Sequence, residues 1–378
     1  MARKLKDLVV VITGASSGIG QATALEFAEQ GASVVLAARR EWALREVAIE
    51  CERRGGQALH VPTDVTDEAA VHELARRALE HFGRIDVWVN NAAVGLFSRF
   101  EDAPIVDFRR VIETDLFGYV YGARAVLPLF YRRGRGVLIN VGSVMSEVPG
   151  PYVSAYAIAK HGVRALGECL RQEVQLAGAD DVKICTVMPA TIDTPFFQHA
   201  ANYTGRAVKA MPPVYPAESV AKTIVELVDH PRREVVVGNA GRLMTMQQSL
   251  APGMNERMLA TMVDRQHLED VPAPPTSGSL FSPMGRGASI EGGWRSPSGT
   301  SKASKLAAAL LVGIPAALVW RQYWKETVAR ADAAGNGRME PGLTASHSVE
   351  EIGQPRPASS LERDLGRLGR DELLQGSA

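Results

Sequence analysis

The sequence predicts an α/β fold, a doubly wound parallel sheet of about seven strands with helices on both faces, carrying a C-terminal extension. Three observations predict it. From Leu8 to Gly238 short apolar runs alternate with longer helical patterns. Most of these runs are rich in Val and Ile without strict alternation, as in strands covered on both faces. A glycine turn, Thr13-Gly-Ala-Ser-Ser-Gly-Ile-Gly20, joins the first run to the first helix.

The first strand falls at 8–13. The preceding Met1-Ala-Arg-Lys-Leu-Lys is basic, but about five apolar residues ending in a glycine turn are too few for a signal peptide. A helix over 18–30 stops at Gly31, a strand follows at 33–38, and a helix over 41–54 stops at Gly55-Gly56. Strand 57–62, helix 67–82 and strand 85–90 continue the alternation. A helix over 104–132 opens on Pro104 and leads to strand 136–142. Helix 152–177, strand 182–188, helix 216–229 opening on Pro216, and strand 234–238 complete the series. There is no internal repeat at periods of about 20–50 residues.

After about residue 250 the texture changes, so the catalytic domain is placed at 1–250. Residues 251–303 read as a linker, dense in Pro, Gly and Ser from 271 on. An apolar helix is expected at 304–325, with a polar, disordered tail over 326–378. The uncharged run Leu306–Trp320 spans about 22 Å as a helix, short of a hydrocarbon core of about 30 Å. Lysines and Arg321 flank it, and Trp320, Tyr323 and Trp324 suit an interface. It reads either as a membrane anchor or as a helix packed on its own domain or a partner subunit. Leu280-Phe281 and Gly292-Gly-Trp294-Arg295 carry no assignable chemistry.

Composition narrows the function. The 42 Lys and Arg balance 42 Asp and Glu, which argues against a nucleic-acid partner. Three distant cysteines without a Cys-x-x-Cys pair fit reduced thiols in a cytoplasmic protein and argue against a disulfide framework or a metal site.

In the glycine turn, Gly14, Gly18 and Gly20 let backbone N–H groups approach a pyrophosphate at the positive end of a helix, with Ser16, Ser17 and Ile19 completing the loop. The bland alternative is a tight turn without a ligand. The second strand ends Ala37-Ala38-Arg39-Arg40 with no carboxylate for a ribose 2′-hydroxyl, and arginine suits a 2′-phosphate. NADP is therefore expected over NAD, unless Arg39 and Arg40 merely open the next helix in solvent.

Tyr156 and Lys160 stand at i and i+4 on a helix and share a face. A free tyrosine has a pKa near 10, and a fixed ammonium beside it lowers that value. Ser143 lies just past strand 136–142, at the sheet end where open parallel sheets bind ligands. Its hydroxyl can hold a substrate oxygen while Tyr156 donates a proton. Alone, Tyr-x-x-x-Lys is as readily an exposed helical pair.

Over about residues 7–240 the sequence resembles the short-chain dehydrogenase/reductase family. The matching pieces keep the family's order: the glycine turn, Asp64 after the third strand, Asn90-Asn-Ala-Ala93, Ser143, Tyr156-x-x-x-Lys160, and Pro189 followed by Thr194. The step from Ser143 to Tyr156 also has the family's usual length. The resemblance implies a Rossmann-like fold and oxidoreductase chemistry. It implies that Asp64 and Val65 contact the adenine, Asn90 braces the cofactor cleft, Lys160 bonds the nicotinamide ribose, and Pro189 to Thr194 hold the carboxamide. Homo-oligomers through helices 104–132 and 152–177 are likewise implied.

Three departures stand out. Ala93 replaces a usual glycine, Gly142 a common serine, and Asp115 the family's catalytic asparagine. An aspartate accepts hydrogen bonds but donates none as an amide does, and it adds negative charge near Lys160. On the substrate side, Pro195, Phe196, Phe197, Tyr203, Met211, Pro212 and Pro213 fall in the segment that forms a lid in the family. With Leu96, Phe97 and Met145 they suggest a small apolar carbonyl or alcohol, or else they only fasten the lid to the body. His161 points to another helix face than Lys160 and reads as structural. The competing function class is a nucleotide-binding regulatory or scaffold protein that has lost turnover.

Overall fold

All seven expected strands form in the computed structural model, whose described residues are 5–285 and 288–295. They are β1 (Val9–Thr13), β2 (Ser33–Ala38), β3 (Gln57–Pro62), β4 (Val87–Asn90), β5 (Gly136–Val141), β6 (Val182–Pro189) and β7 (Glu234–Val237). Their order across the sheet is β7-β6-β5-β4-β1-β2-β3, every pairing parallel. The chain winds outward from β1 to β3, then crosses to lay β4 against the other side of β1. That reversal opens a crevice at the C-terminal ends of β1 and β4, where open α/β sheets bind their ligands. Asn91 closes its floor by donating from its backbone N to Thr13 Oγ1 (3.0 Å) and from Nδ2 to the Thr13 carbonyl (2.9 Å).

The sheet separates two apolar layers. Val10 and Ile12 of β1 face α1 (Gly18–Glu29), α2 (Glu41–Arg53) and a later helix, Ala217–Asp229. Val9 and Val11 face the opposite layer, with Leu74 from α3 (Glu68–Phe82). Successive residues point to opposite faces and both faces are covered, which is why the strands lack a polar–apolar alternation. At the foot of the sheet Asp86 is fully buried, accepting the Val9 N–H and pairing with Arg84 (2.6 Å) and Arg133 (2.8 Å). Both arginines hold its carboxyl below the usual carboxylate range despite burial.

The stretch expected as one helix over 104–132 is instead three pieces. α4 (Ile105–Ile112) passes through a π-helical turn, Glu113–Phe117, into α5 (Gly118–Arg133). Such a turn inserts a residue into the ladder and redirects the side chains around it. Here it brings Asp115 inward, fully buried, where Oδ1 accepts the Val94 N–H at 2.8 Å. α6 (Ser154–Leu176) then runs unbroken beside it, and α7 is the helix Ala217–Asp229.

Past the last strand, α8 (Asn239–Leu250) and α9 (Pro252–Gln266) follow, and Leu268–Pro272 pairs antiparallel with Arg206–Val208. Residues 252–272, expected as the start of a linker, are therefore folded. Leu259, Val263 and Leu268 are buried and pin this segment down, and Pro252 starts its helix. The expected apolar helix at 304–325, with the run 306–320, and the tail over 326–378 lie outside the described residues. Among the described residues no helix is long and apolar enough to cross a membrane.

Candidate active site

Ser143 follows β5 and caps a single 3-10 turn, Val144–Ser146. Its Oγ accepts the Met145 N–H at 3.1 Å, and the Ser146 hydroxyl accepts the Ser143 N–H at 3.2 Å. This reciprocal capping fixes the side chain by satisfying donors at both ends of the turn. The Ser143 side chain lies beside Tyr156 on α6 and favours its ionised form. The Tyr156 ring packs against Phe196, with centroids 5.4 Å apart.

Lys160, one turn on from Tyr156, is almost fully buried. Its Nζ donates to the Tyr119 hydroxyl at 2.9 Å and to the Val141 carbonyl at 3.2 Å, and it lies 3.7 Å from Asp115 Oδ2. Tyr119 Oη donates in turn to Val141 O at 2.9 Å. Burial pushes the Asp115 carboxyl up and the Lys160 ammonium down, while their mutual attraction opposes both shifts. The expected lowering of Tyr156 by Lys160 does not prevail here. Burial and the Asp115 carboxylate hold the Tyr156 phenol above its ordinary value, against the pull of Ser143. The ammonium sits 5.5 Å over the Tyr156 ring, with its hydrogens turned to Tyr119 and Val141.

One cavity of about 280 Å³ joins this cluster to the glycine turn. Of the expected cofactor residues, Gly14, Ser16, Ser17, Gly18, Ile19, Arg39, Arg40, Asp64, Val65, Pro189 and Thr194 line it, as do Tyr156 and Lys160. Gly20 does not. A Cβ there would come 2.3 Å from the Gly14 carbonyl, so its absence lets the turn close on itself. Asn90 is not in the wall either; it is fully buried behind it. It accepts from Trp88 Nε1 (2.7 Å) and donates to Tyr119 O (3.1 Å) and Asn140 Oδ1 (3.0 Å), so it ties β4 to α5 and β5. Asn91 and Ala92 take the place in the wall. Asp115 also stands behind the wall and touches the cavity-lining residues Lys160 and Val94.

At the end of β2, Arg40 Nη2 donates to Ser16 Oγ at 3.3 Å, across from the glycine turn. Arg39 instead gives Nη2 to Ser279 O (2.6 Å) and Nη1 to Leu280 O (3.0 Å). Asp64 accepts from Thr66 and from Arg110 Nη2 (2.6 Å), which hold it ionised. A helix N-terminus, a buried arginine beside a serine hydroxyl and a cleft running to Ser143 together suit an extended anionic dinucleotide.

The far end of the cavity is apolar, formed by Leu96, Phe97, Met145, Val153, Phe197 and Val263. Tyr203 fastens the covering segment by donating to Asp107 Oδ2 at 2.6 Å. Two residues here escaped the sequence reading. Tyr119 stands one helical turn after Asp115, and that spacing was its only signal. His267 caps α9, lines the cavity between Phe97 and Phe197, and donates from Nδ1 to the Lys209 carbonyl at 2.8 Å. Burial lowers its pKa, so the ring is neutral at pH 7. His161 bonds back to Ala157 O and does not line the cavity. Among the described residues no cluster of His, Cys, Asp or Glu could hold a metal ion.

A parallel sheet with its cleft at the strand-order reversal, ending in a Ser–Tyr–Lys cluster, defines a nucleotide-binding oxidoreductase. The pattern described as short chain dehydrogenase matches residues 8–204, and the chain belongs to the short-chain dehydrogenase/reductase family. It is 38% identical over 325 residues to the uncharacterized oxidoreductase YxnA of Bacillus subtilis, covering 83% of this chain and 90% of that one. It is 32% identical over 279 residues to dehydrogenase/reductase SDR family member 7B of Bos taurus, covering 70% and 84%. Among solved structures it resembles a short chain dehydrogenase/reductase from Burkholderia phymatum in complex with NAD, with TM-score 0.60 and 27% identity over 66% of this chain and 96% of that one. An alcohol dehydrogenase from Thermococcus sibiricus complexed with 5-hydroxy-NADP is similar at TM-score 0.53 and 28% identity, over 61% and 95%.

Proposed function

We propose that this protein is an NADP(H)-dependent oxidoreductase that interconverts a small apolar ketone or aldehyde and its alcohol. The observation that carries the reading is the convergence of Ser143, Tyr156 and Lys160 where the dinucleotide cleft meets an apolar chamber. Arg40 beside Ser16 supports NADP over NAD, since a guanidinium and a hydroxyl suit a 2′-phosphate. When bound, the nicotinamide supplies or takes the hydride at the substrate carbon. In reduction, Ser143 holds the carbonyl oxygen and Tyr156 delivers its proton there; in oxidation the ionised Tyr156 takes the proton back. Lys160 holds the ribose side of the cleft. Exposed Ile105, Val106, Phe117 and Ile158 on α4, the π turn and α6 support a homo-oligomer built on those helices.

The test is NADPH and NADH oxidation against a panel of apolar ketones and aldehydes. Turnover favouring NADPH is expected. Tight NADPH binding without turnover of any member would reject the enzyme reading in favour of a nucleotide-binding scaffold.

Asp115 gives a pH-dependent signature. Its negative charge raises Tyr156, so Asp115→Asn moves the Tyr156 ionisation to lower pH. Alcohol oxidation needs the phenolate, so the rising limb of kcat/KM against pH should shift to lower pH. Paired pH–rate profiles check this, and a limb that stays put or moves up contradicts the assigned electrostatics.

A further inference from the structure

The two C-terminal motifs left without chemistry, Leu280-Phe281 and Gly292-Gly-Trp294-Arg295, both contact residues that line the cofactor cleft. The chain reaches it twice. In the first pass Leu280 is buried among Val94, Leu96 and Val111, and its carbonyl accepts from both Arg39 (3.0 Å) and Arg110 (3.1 Å). Ser279 N donates to His199 O at 2.8 Å, and Ser279, Pro283 and Met284 line the cavity. This pass is a fixed wall of the site.

The second pass is hooked onto the segment after β6. Asp193 Oδ1 accepts the N–H groups of Gly292 and Trp294, both at 2.9 Å, and Oδ2 accepts that of Arg295 at 3.2 Å. Trp294 Nε1 donates to Thr194 O at 3.1 Å, and its ring meets Phe197 edge-on at 5.8 Å. A Cβ at Gly292 would fall 2.2 Å from Thr194 O, so only glycine permits this approach. Between the two passes, Ile290 packs on the α1 side of the core and the Ser289 carbonyl accepts the Gly18 N–H at 2.9 Å.

That last contact decides the matter. Gly18 opens α1, so its N–H has no partner within the helix and lies at the positive end. It is the donor a pyrophosphate needs, and one N–H cannot serve both partners at full strength. We infer that residues 288–295 form a strap across the cofactor cleft beside that fixed wall, and that Ser289 must leave Gly18 before a dinucleotide can seat its pyrophosphate. The charged pyrophosphate is a stronger acceptor than a carbonyl, so cofactor displaces Ser289 once the strap opens. This rests on the dinucleotide reading above.

Stopped-flow NADPH fluorescence with the full chain tests it. In the parent protein the observed binding rate should level off with rising NADPH, because opening comes first. Ile290→Asp, which puts a charge where Ile290 packs on the core, should raise that ceiling at least tenfold, and Trp294→Ala should raise it too. A parent rate that climbs linearly throughout overturns the strap, as does an unchanged ceiling in folded variants. The parent curve alone decides if both variants misfold. Absence of any equilibrium NADPH or NADH binding by the parent rejects the dinucleotide reading, and the strap with it.

Discussion

Tyr156→Phe is expected to lower kcat for carbonyl reduction by about 10²–10⁴-fold while NADPH binding stays near the parent value. The substitution removes one oxygen and keeps the ring that packs against Phe196 under Lys160. What disappears is the proton that neutralises the developing alkoxide. The fold should not suffer, since the ring and its packing are kept. Steady-state rates beside an equilibrium NADPH titration separate the two effects. A variant that keeps more than a tenth of the parent kcat would exclude Tyr156 as the proton donor.

Arg40→Leu is expected to raise the KM for NADPH by roughly 10–100-fold, the loss of about 1.5–3 kcal/mol for a hydrogen bond to a charged group, and to leave NADH nearly unchanged. Arg40 is the better position than Arg39 for this test. Both terminal nitrogens of Arg39 are engaged by the carbonyls of Ser279 and Leu280, so its removal would also loosen the cleft wall. Arg40 faces Ser16 beside the glycine turn, and its bond to the wall, from Nη1 to the Met284 carbonyl, is longer at 3.4 Å. Burial lowers the pKa of both guanidiniums from the ordinary arginine value. Equal losses for the two cofactors would place the 2′-phosphate elsewhere.

The strands were legible because covering both faces demands Val- and Ile-rich runs, and the glycine turn and Tyr156–Lys160 because their spacing is itself the chemistry. Less was legible where one residue's role depends on a distant segment. The π turn leaves no mark in helical periodicity, so the inward placement of Asp115 and its link to Lys160 appear only in three dimensions. Asn90 looks like a cleft residue from its motif, yet its amide is spent on Tyr119 and Asn140. α9 was hidden by a composition that turns toward Pro, Gly and Ser soon after it, and its burial depends on Val263 and Leu268 finding partners far back in the chain. His267 has no local pattern at all; only the fold carries it to Phe97 and Phe197.

In the proposed reaction, proton handling and substrate choice come from different parts of the chain. The ammonium of Lys160 is braced through Tyr119 and Asn90 to the middle of the sheet, among residues that also hold up the core. Much of the apolar chamber and its cover comes from late segments around Phe197, Val263, His267 and Trp294. A lineage with this layout can retune its appetite by drifting in the last third of the domain, while the reaction it performs is inherited intact.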